Sequence, residues 1–211
     1  MPRLPQPPRR RGQEEERREE RGSEIKAFLY PVFLDIKGKP CLVVGGGEVA
    51  FRKTETLLKS GATQVKVVAP LLHPGFAKLG EKGQVRFFRR KFRLSDLKGA
   101  ALAVCSTDSE EVNALVGEAA ARSGALVNVV DRPALCNFIV PAVFRNGPLT
   151  IAVSTGGASP ALAKKIRLQL EKTYGGAFAE KVEALRQLRV KMLASKAKAD
   201  KQAYFRLLRQ I

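Results

Sequence analysis

Tryptophan is missing from this sequence, histidine occurs once, as His73, and cysteine three times. A lone histidine, with no C-x-x-C pair among Cys41, Cys105 and Cys136, offers no ligand set for zinc, so no metal site is expected. The odd count of thiols argues against a disulfide framework. Cys41 and Cys105 lie inside apolar strand patterns and read as buried, reduced side chains. No apolar run approaches the ~20 residues that a bilayer-spanning helix needs, so no membrane partner is expected. The N-terminus carries charge without an apolar stretch behind it, which speaks against a secretory signal and for a cytoplasmic location. What remains is an ordinary globular composition, 211 residues of which 45% are apolar. That suffices for one good-sized domain and a smaller appendage.

The formal charge of +18 is unevenly placed. Residues 1–24 nearly balance seven Arg against six Glu and hold almost no apolar residue, so they are expected to form a disordered tail. Residues 158–211 are the most basic part, with 13 Lys and Arg against four acids. A basic surface attracts polyanions, whether nucleic acid or an acidic small molecule. No helix-turn-helix, RNA-binding aromatic motif or zinc finger accompanies this charge, so no nucleic-acid partner is expected. A non-enzymatic nucleic-acid-binding or dinucleotide-sensing module is the alternative from a different class.

From residue 28 the pattern alternates. Short apolar runs at 41–44, 65–69, 85–88, 101–105 and 126–130 read as strands, with helices predicted over 48–60 and from about 109 to 123. Fully apolar strands alternating with helices imply α/β architecture, a Rossmann-type parallel sheet covered on both faces. Beyond Asp131 the grammar changes. Runs at 138–140, 142–144 and 149–153, with a turn at Asn146-Gly147-Pro148, suggest an antiparallel addition to that sheet. Pro160 is placed to open a helix reaching about Tyr174, and the remainder to Ile211 is helical and basic. There Val182, Leu185, Leu188 and Met192 form a stripe at helical spacing. The expected divisions are a tail at 1–24, a dinucleotide-binding domain at 25–133, a mixed α/β region at 134–175 and a helical domain at 176–211.

Gly45-x-Gly47-x-x-Ala50 follows the first strand and opens a helix, which is the dinucleotide-binding fingerprint in its G-x-G-x-x-A form. One glycine permits the tight turn, the next clears room for pyrophosphate to approach the backbone, and a small third residue lets helix and strand pack. The helix start then offers unpaired N–H groups to the phosphates. The acid that usually follows some 20 residues later, to bind ribose, is not at the end of the second strand, which runs Ala69-Pro70-Leu71-Leu72. His73 just beyond reads as a surface residue. Asp131 ends the fifth strand, where open α/β sheets place their ligand crevice. It reads either as a turn former before Arg132-Pro133 or as a general base whose pKa is raised in a partly apolar site.

Four stretches, in this order, resemble the precorrin-2 dehydrogenase family, which includes the N-terminal module of siroheme synthase. They are Tyr30-Pro-Val-Phe-Leu34; Leu42-Val-Val-Gly-Gly-Gly-Glu-Val-Ala-x-Arg-Lys53; Asn128-Val-Val-Asp131 with Cys136-Asn-Phe-Ile-Val-Pro141; and Val153-Ser-Thr-Gly-Gly-Ala-Ser-Pro160. The resemblance implies NAD-dependent oxidation of the tetrapyrrole precorrin-2 to sirohydrochlorin by a homodimer. In the layout it implies, an NAD-binding domain is followed by a dimerisation region and a small helical domain, with active sites near the dimer seam. Some relatives also insert iron, so a bifunctional dehydrogenase and ferrochelatase is the nearest alternative. The family's catalytic aspartate falls on Asp131, and a serine that influences substrate binding falls on Thr155, which keeps the hydroxyl and adds a methyl. The expected cofactor contacts are Gly45, Gly46, Gly47, Glu48, Val49, Pro70, Leu71, Thr107 and Asn128. The expected substrate contacts are Asn137, Ser154, Thr155, Gly156 and Gly157, and Lys164, Lys165 and Arg167 are placed to steer an anionic tetrapyrrole.

Overall fold

The structure, a computed structural model, describes residues 29–80, 83–195 and 198–211. The tail expected over 1–24 lies outside the described residues. The described chain forms two compact units, residues 30–140 and residues 141–211 together with residue 29.

The first unit is a five-stranded parallel sheet in the order β3-β2-β1-β4-β5. Its strands are β1 (Pro40–Val44), β2 (Gln64–Val68), β3 (Val85–Phe88), β4 (Leu102–Cys105) and β5 (Leu126–Val129). β1 sits centrally because Leu42, Val43 and Val44 are apolar on both faces, and all three are essentially inaccessible. On one face, α1 (Glu48–Lys59) and the short α2 (Phe76–Gly80) pack Ala50, Leu57 and Phe76 onto Val43, Val65, Val67 and Val104. On the other, α3 (Glu110–Ser123) packs Val116 and Ala120 onto Leu42, Ala103, Val127 and Val129. Both faces are thus covered, as continuous apolar strands require. Thr54 is fully buried inside α1, but its hydroxyl donates to the Ala50 carbonyl at 2.8 Å, so no polar group there goes unsatisfied.

Ser109 caps α3, its hydroxyl accepting from Val112 N–H, close to the start expected for this helix. His73 is half-buried rather than superficial. Its ring stacks on Phe51 at 5.2 Å and its Nδ1 accepts from Gly75 N–H.

The crossover from β3 to β4 is a 3-10 turn, Leu94–Leu97, anchored by a buried carboxylate. Asp96 is 4% exposed, takes both oxygens to Arg90 at 2.8 Å, and accepts from Arg93 N–H at 2.9 Å. The Arg90 guanidinium, with the Arg93 amide and Lys66 assisting, holds this carboxyl down at about 2, against an ordinary 3.8. A depressed acid contributes stability above its unfolded pKa and loses it as pH falls through the folded one. The carboxylate therefore contributes about 2 kcal/mol at neutral pH, which fades between about pH 4 and pH 2. Urea unfolding of Asp96→Asn should show that deficit at pH 7 and a closing gap near pH 2. An equal deficit at both pH values would assign the effect to packing instead.

The second unit holds β6 (Ala142–Asn146) and β7 (Leu149–Val153), an antiparallel pair closed by a two-residue turn. The expectation that these strands extend the parallel sheet is corrected: they form a separate two-stranded sheet. Its physical partner is α4 (Pro160–Tyr174), which packs on both strands of the pair. α5 (Phe178–Ser195) and α6 (Lys198–Arg209) pack on each other. The stripe of Val182, Leu185, Leu188 and Met192 is half-buried along its length.

Candidate functional site

The strand order reverses direction between β1 and β4, so the connections leaving their C-terminal ends diverge, to α1 on one face of the sheet and to α3 on the other. Gly45 N–H donates to the Val68 carbonyl at 3.0 Å while Ser106 N–H donates to the Val44 carbonyl at 2.8 Å, which extends the ladder on each side. In open α/β sheets this divergence opens the ligand crevice.

The three glycines lining it differ in what they need. Gly45 has φ +120°, and a Cβ there would lie 2.2 Å from the Ser106 carbonyl oxygen. A Cβ on Gly46 would lie 1.8 Å from the Leu71 carbonyl oxygen. Both are required by the chain's own close approach. Gly47 is required by neither: its φ is −73°, and a Cβ there meets nothing within 4 Å. It caps α1 without any side-chain hydrogen bond, although Ser or Asp would cap better. Gly47 and Glu48 are exposed, so the unpaired N–H groups of the first turn face open space.

Pro70 and Leu71 form the rim at the end of β2, and Leu71 is 85% exposed. On the β4 side the Thr107 hydroxyl donates to Asn113 Oδ1 at 2.8 Å, and Asn113 Nδ2 returns a bond to the Thr107 carbonyl at 3.1 Å. This clasp fixes the 106–109 turn on α3. Beside it, Ser106 Oγ is the one buried side-chain polar atom among the described residues that has no hydrogen-bond partner. Sequence reasoning passed over Ser106, since a serine after a strand carries no distinctive pattern.

Asp131 stands in the next loop. With φ +59° it is the one non-glycine residue with positive φ among the described residues, and such strain costs about 1–3 kcal/mol and persists only where surroundings impose it. Cys136 ties down the start of this loop: Val129 N–H donates to its sulfur at 3.1 Å and the thiol donates to the Val129 carbonyl at 3.2 Å. Val130 N–H donates to the Cys105 carbonyl at 2.9 Å and ties the loop to β4. Asp131 itself is exposed, so the partly apolar surroundings expected for it are not present in this unit.

Asn128 and Asn137 are used within this loop system. Asn128 Nδ2 donates to the Phe138 carbonyl at 3.2 Å. Asn137, expected beside the substrate, accepts from Val127 N–H at 2.7 Å and donates to the Ala125 carbonyl at 2.8 Å. Its amide therefore acts as a surrogate strand along the free edge of β5.

In the second unit, Ser154, Thr155, Gly156 and Gly157 form the turn before α4. The Thr155 hydroxyl donates to the Ser159 carbonyl and accepts from its N–H, both at 3.0 Å. Gly156 and Gly157 have φ of +64° and +97°, and Ser159 caps α4 through Leu162 N–H. Arg167 pairs with Glu171, while Lys164 and Lys165 are exposed.

Comparison with known proteins finds matches to both parts of the chain. Residues 32–142 match a family described as putative NAD(P)-binding, and residues 146–173 match the sirohaem biosynthesis protein central family. The chain is 45% identical over 164 residues to the siroheme synthase of Methylobacillus flagellatus, covering 74% of this chain and 35% of that protein. It is 47% identical over 141 residues to that of Photobacterium profundum, covering 67% and 30% respectively. The chain thus spans about a third of the length of these curated relatives. A solved structure, SirC, precorrin-2 dehydrogenase, superposes with a TM-score of 0.68 at 34% identity, covering 87% of this chain and 89% of that one.

Proposed function

The chain belongs to the precorrin-2 dehydrogenase family, and on that footing we propose that it oxidises precorrin-2 to sirohydrochlorin, with NAD as the oxidant. Gly47 is the observation that carries this reading. It is a glycine that neither backbone conformation nor packing demands, at the exposed start of a helix, and a phosphate approaching the backbone explains it. The partnerless Ser106 hydroxyl beside Gly45 fits the same crevice.

In this proposal the N–H groups of Gly47, Glu48 and Val49 hold the pyrophosphate. Pro70 and Leu71 line the adenosine end, with Leu71 offering apolar surface where the usual acid is missing. Thr107 and Asn128 border the nicotinamide end. When bound, NAD supplies the hydride acceptor. Asp131 accepts the proton released as the ring C–H hydride departs, so two hydrogens leave the substrate, one as hydride and one as a proton. Ser154, Thr155, Gly156 and Gly157 are proposed to meet the tetrapyrrole's carboxylates, with Thr155 shaping the turn through Ser159. Asn137 serves by holding β5 straight below Asp131.

We also propose a homodimer, with residues 134–175 as dimerisation region, residues 176–211 as a helical domain, and a cytoplasmic location. Two observations support the assembly: β6 and β7 pair with no other described strand, and Val190, Leu193, Phe205 and Leu208 are exposed apolar side chains on α5 and α6. Three buried thiols without a bridge support a reducing compartment. Among the described residues no helix is long and apolar enough to cross a membrane.

One preparation tests the whole reading. The intact chain should form NADH from NAD and precorrin-2, sediment at twice 23.1 kDa, and melt about 5 °C higher in NAD at 100 times its Kd, by mass action. Folded protein that yields no NADH from authentic precorrin-2 would contradict the dehydrogenase assignment.

A further inference from the structure

Lys53 lies on α1 among the positions that press this helix onto the sheet: Ala50, Thr54 and Leu57 are buried, and Lys53 between them is half-buried. The cluster that holds Ala50 and Leu57 runs through Val104 of β4 to Leu126 of β5 and Phe138, so Lys53 lies on the helix face that this sheet face continues toward β5 and its loop. The charged and titratable groups acting on its ammonium are Arg52 on the same helix, Asp131 after β5, and the Cys136 thiol. Among the described residues no carboxylate pairs with it within 4 Å and no acceptor hydrogen-bonds it. Burial, then Arg52, push this ammonium below its usual pKa, with Asp131 and Cys136 opposing. A half-buried cation without a bonded partner is costly unless an anion arrives to join it.

The anion is to be found by location. Phosphates of a dinucleotide belong at the first turn of α1, and Lys53 stands six residues past Gly47, about 9 Å farther along the helix, on the side of Asp131. A tetrapyrrole that brings ring-margin carboxylates toward an aspartate meets like charge, and a cation alongside removes that repulsion. We propose that Lys53 binds a carboxylate of the tetrapyrrole beside Asp131, and so positions the oxidisable carbon against that aspartate. This rests on the reading in which Asp131 faces precorrin-2.

The test uses the intact chain and three variants, Lys53→Met, Lys53→Gln and Lys53→Arg, with precorrin-2 varied at saturating NAD and the NAD Kd read separately by titration calorimetry. Lys53→Met, or Lys53→Gln if the former does not fold, should raise KM for precorrin-2 about tenfold. The NAD Kd should stay within about twofold, and Lys53→Arg should recover most of the loss. An unchanged KM in the charge-removing variants, with an active parent protein, overturns the lysine assignment alone. A rise in NAD Kd matching that in KM overturns it too, since the lysine would then serve the cofactor's phosphates. A parent protein that does not oxidise precorrin-2 overturns both this inference and the function it rests on.

Discussion

Asp131→Asn should lower the turnover of precorrin-2 by about 10²- to 10⁴-fold, the usual contribution of a positioned proton acceptor. Asparagine is the informative replacement because it tolerates the left-handed backbone region nearly as well as aspartate does. The φ of +59° at this position therefore survives, and the loss reports on the carboxylate. NAD affinity and melting temperature should remain those of the parent. Asp131→Val would mix the two effects, since a β-branched residue in this region adds strain of about 1–3 kcal/mol. Initial rates of NADH formation decide the matter. A rate within a few-fold of the parent would show that the strained turn serves shape rather than proton transfer.

Gly47→Asp should separate stability from binding by moving them in opposite directions. With φ −73° and ψ −174°, position 47 already has the conformation of a helix cap, and no atom lies within 4 Å of its virtual Cβ. Aspartate there caps α1 at least as well as glycine and favours the positive end of the helix, so the free protein should be equally stable or steadier by a few tenths of a kcal/mol. The same side chain sets a negative charge where a pyrophosphate must lie. NAD affinity should fall by about 100-fold or more, equivalent to ~2.7 kcal/mol. Gly46→Ala makes the contrasting case. Its Cβ would sit 1.8 Å from the Leu71 carbonyl oxygen and 2.7 Å from the Ala69 Cβ, and such overpacking costs about 1–3 kcal/mol before any ligand is added. Thermal melts with and without NAD distinguish the two variants. A Gly47→Asp protein that binds NAD as the parent does would remove the helix start from the cofactor site.

The parallel sheet was legible because its strands are apolar on both faces, and Leu42 to Val44 are the clearest instance. The fingerprint glycines were legible as a spacing, but not their division of labour, which depends on Ser106 and Leu71 in loops distant in sequence. The hairpin at 142–153 was read correctly as antiparallel and wrongly as part of the main sheet. Short alternating strands carry no mark of which sheet they join, and α4, their packing partner, comes later in the chain. Asn137 is expected at the substrate from the family motif that holds it, and that motif carries no sign of the structural bonds its amide makes. Only coordinates show its amide bonded to Val127 and Ala125. Lys53 was visible inside a motif yet gave no sign of its surroundings, because its neighbours Asp131 and Cys136 lie some 80 residues onward.

The run Gly45-Gly46-Gly47 joins two histories in three letters. The first two residues answer to the polypeptide, whose own carbonyl groups crowd them whether or not anything is bound. The third does not, since a Cβ there meets nothing within 4 Å, and in the proposed function it answers only to the dinucleotide. In a descendant that kept this architecture but gave up its dinucleotide, positions 45 and 46 would stay fixed while position 47 wandered toward the polar residues that finish helices elsewhere. A drifting third glycine beside two constant ones would then be the mark of a lineage that has changed its chemistry without changing its shape.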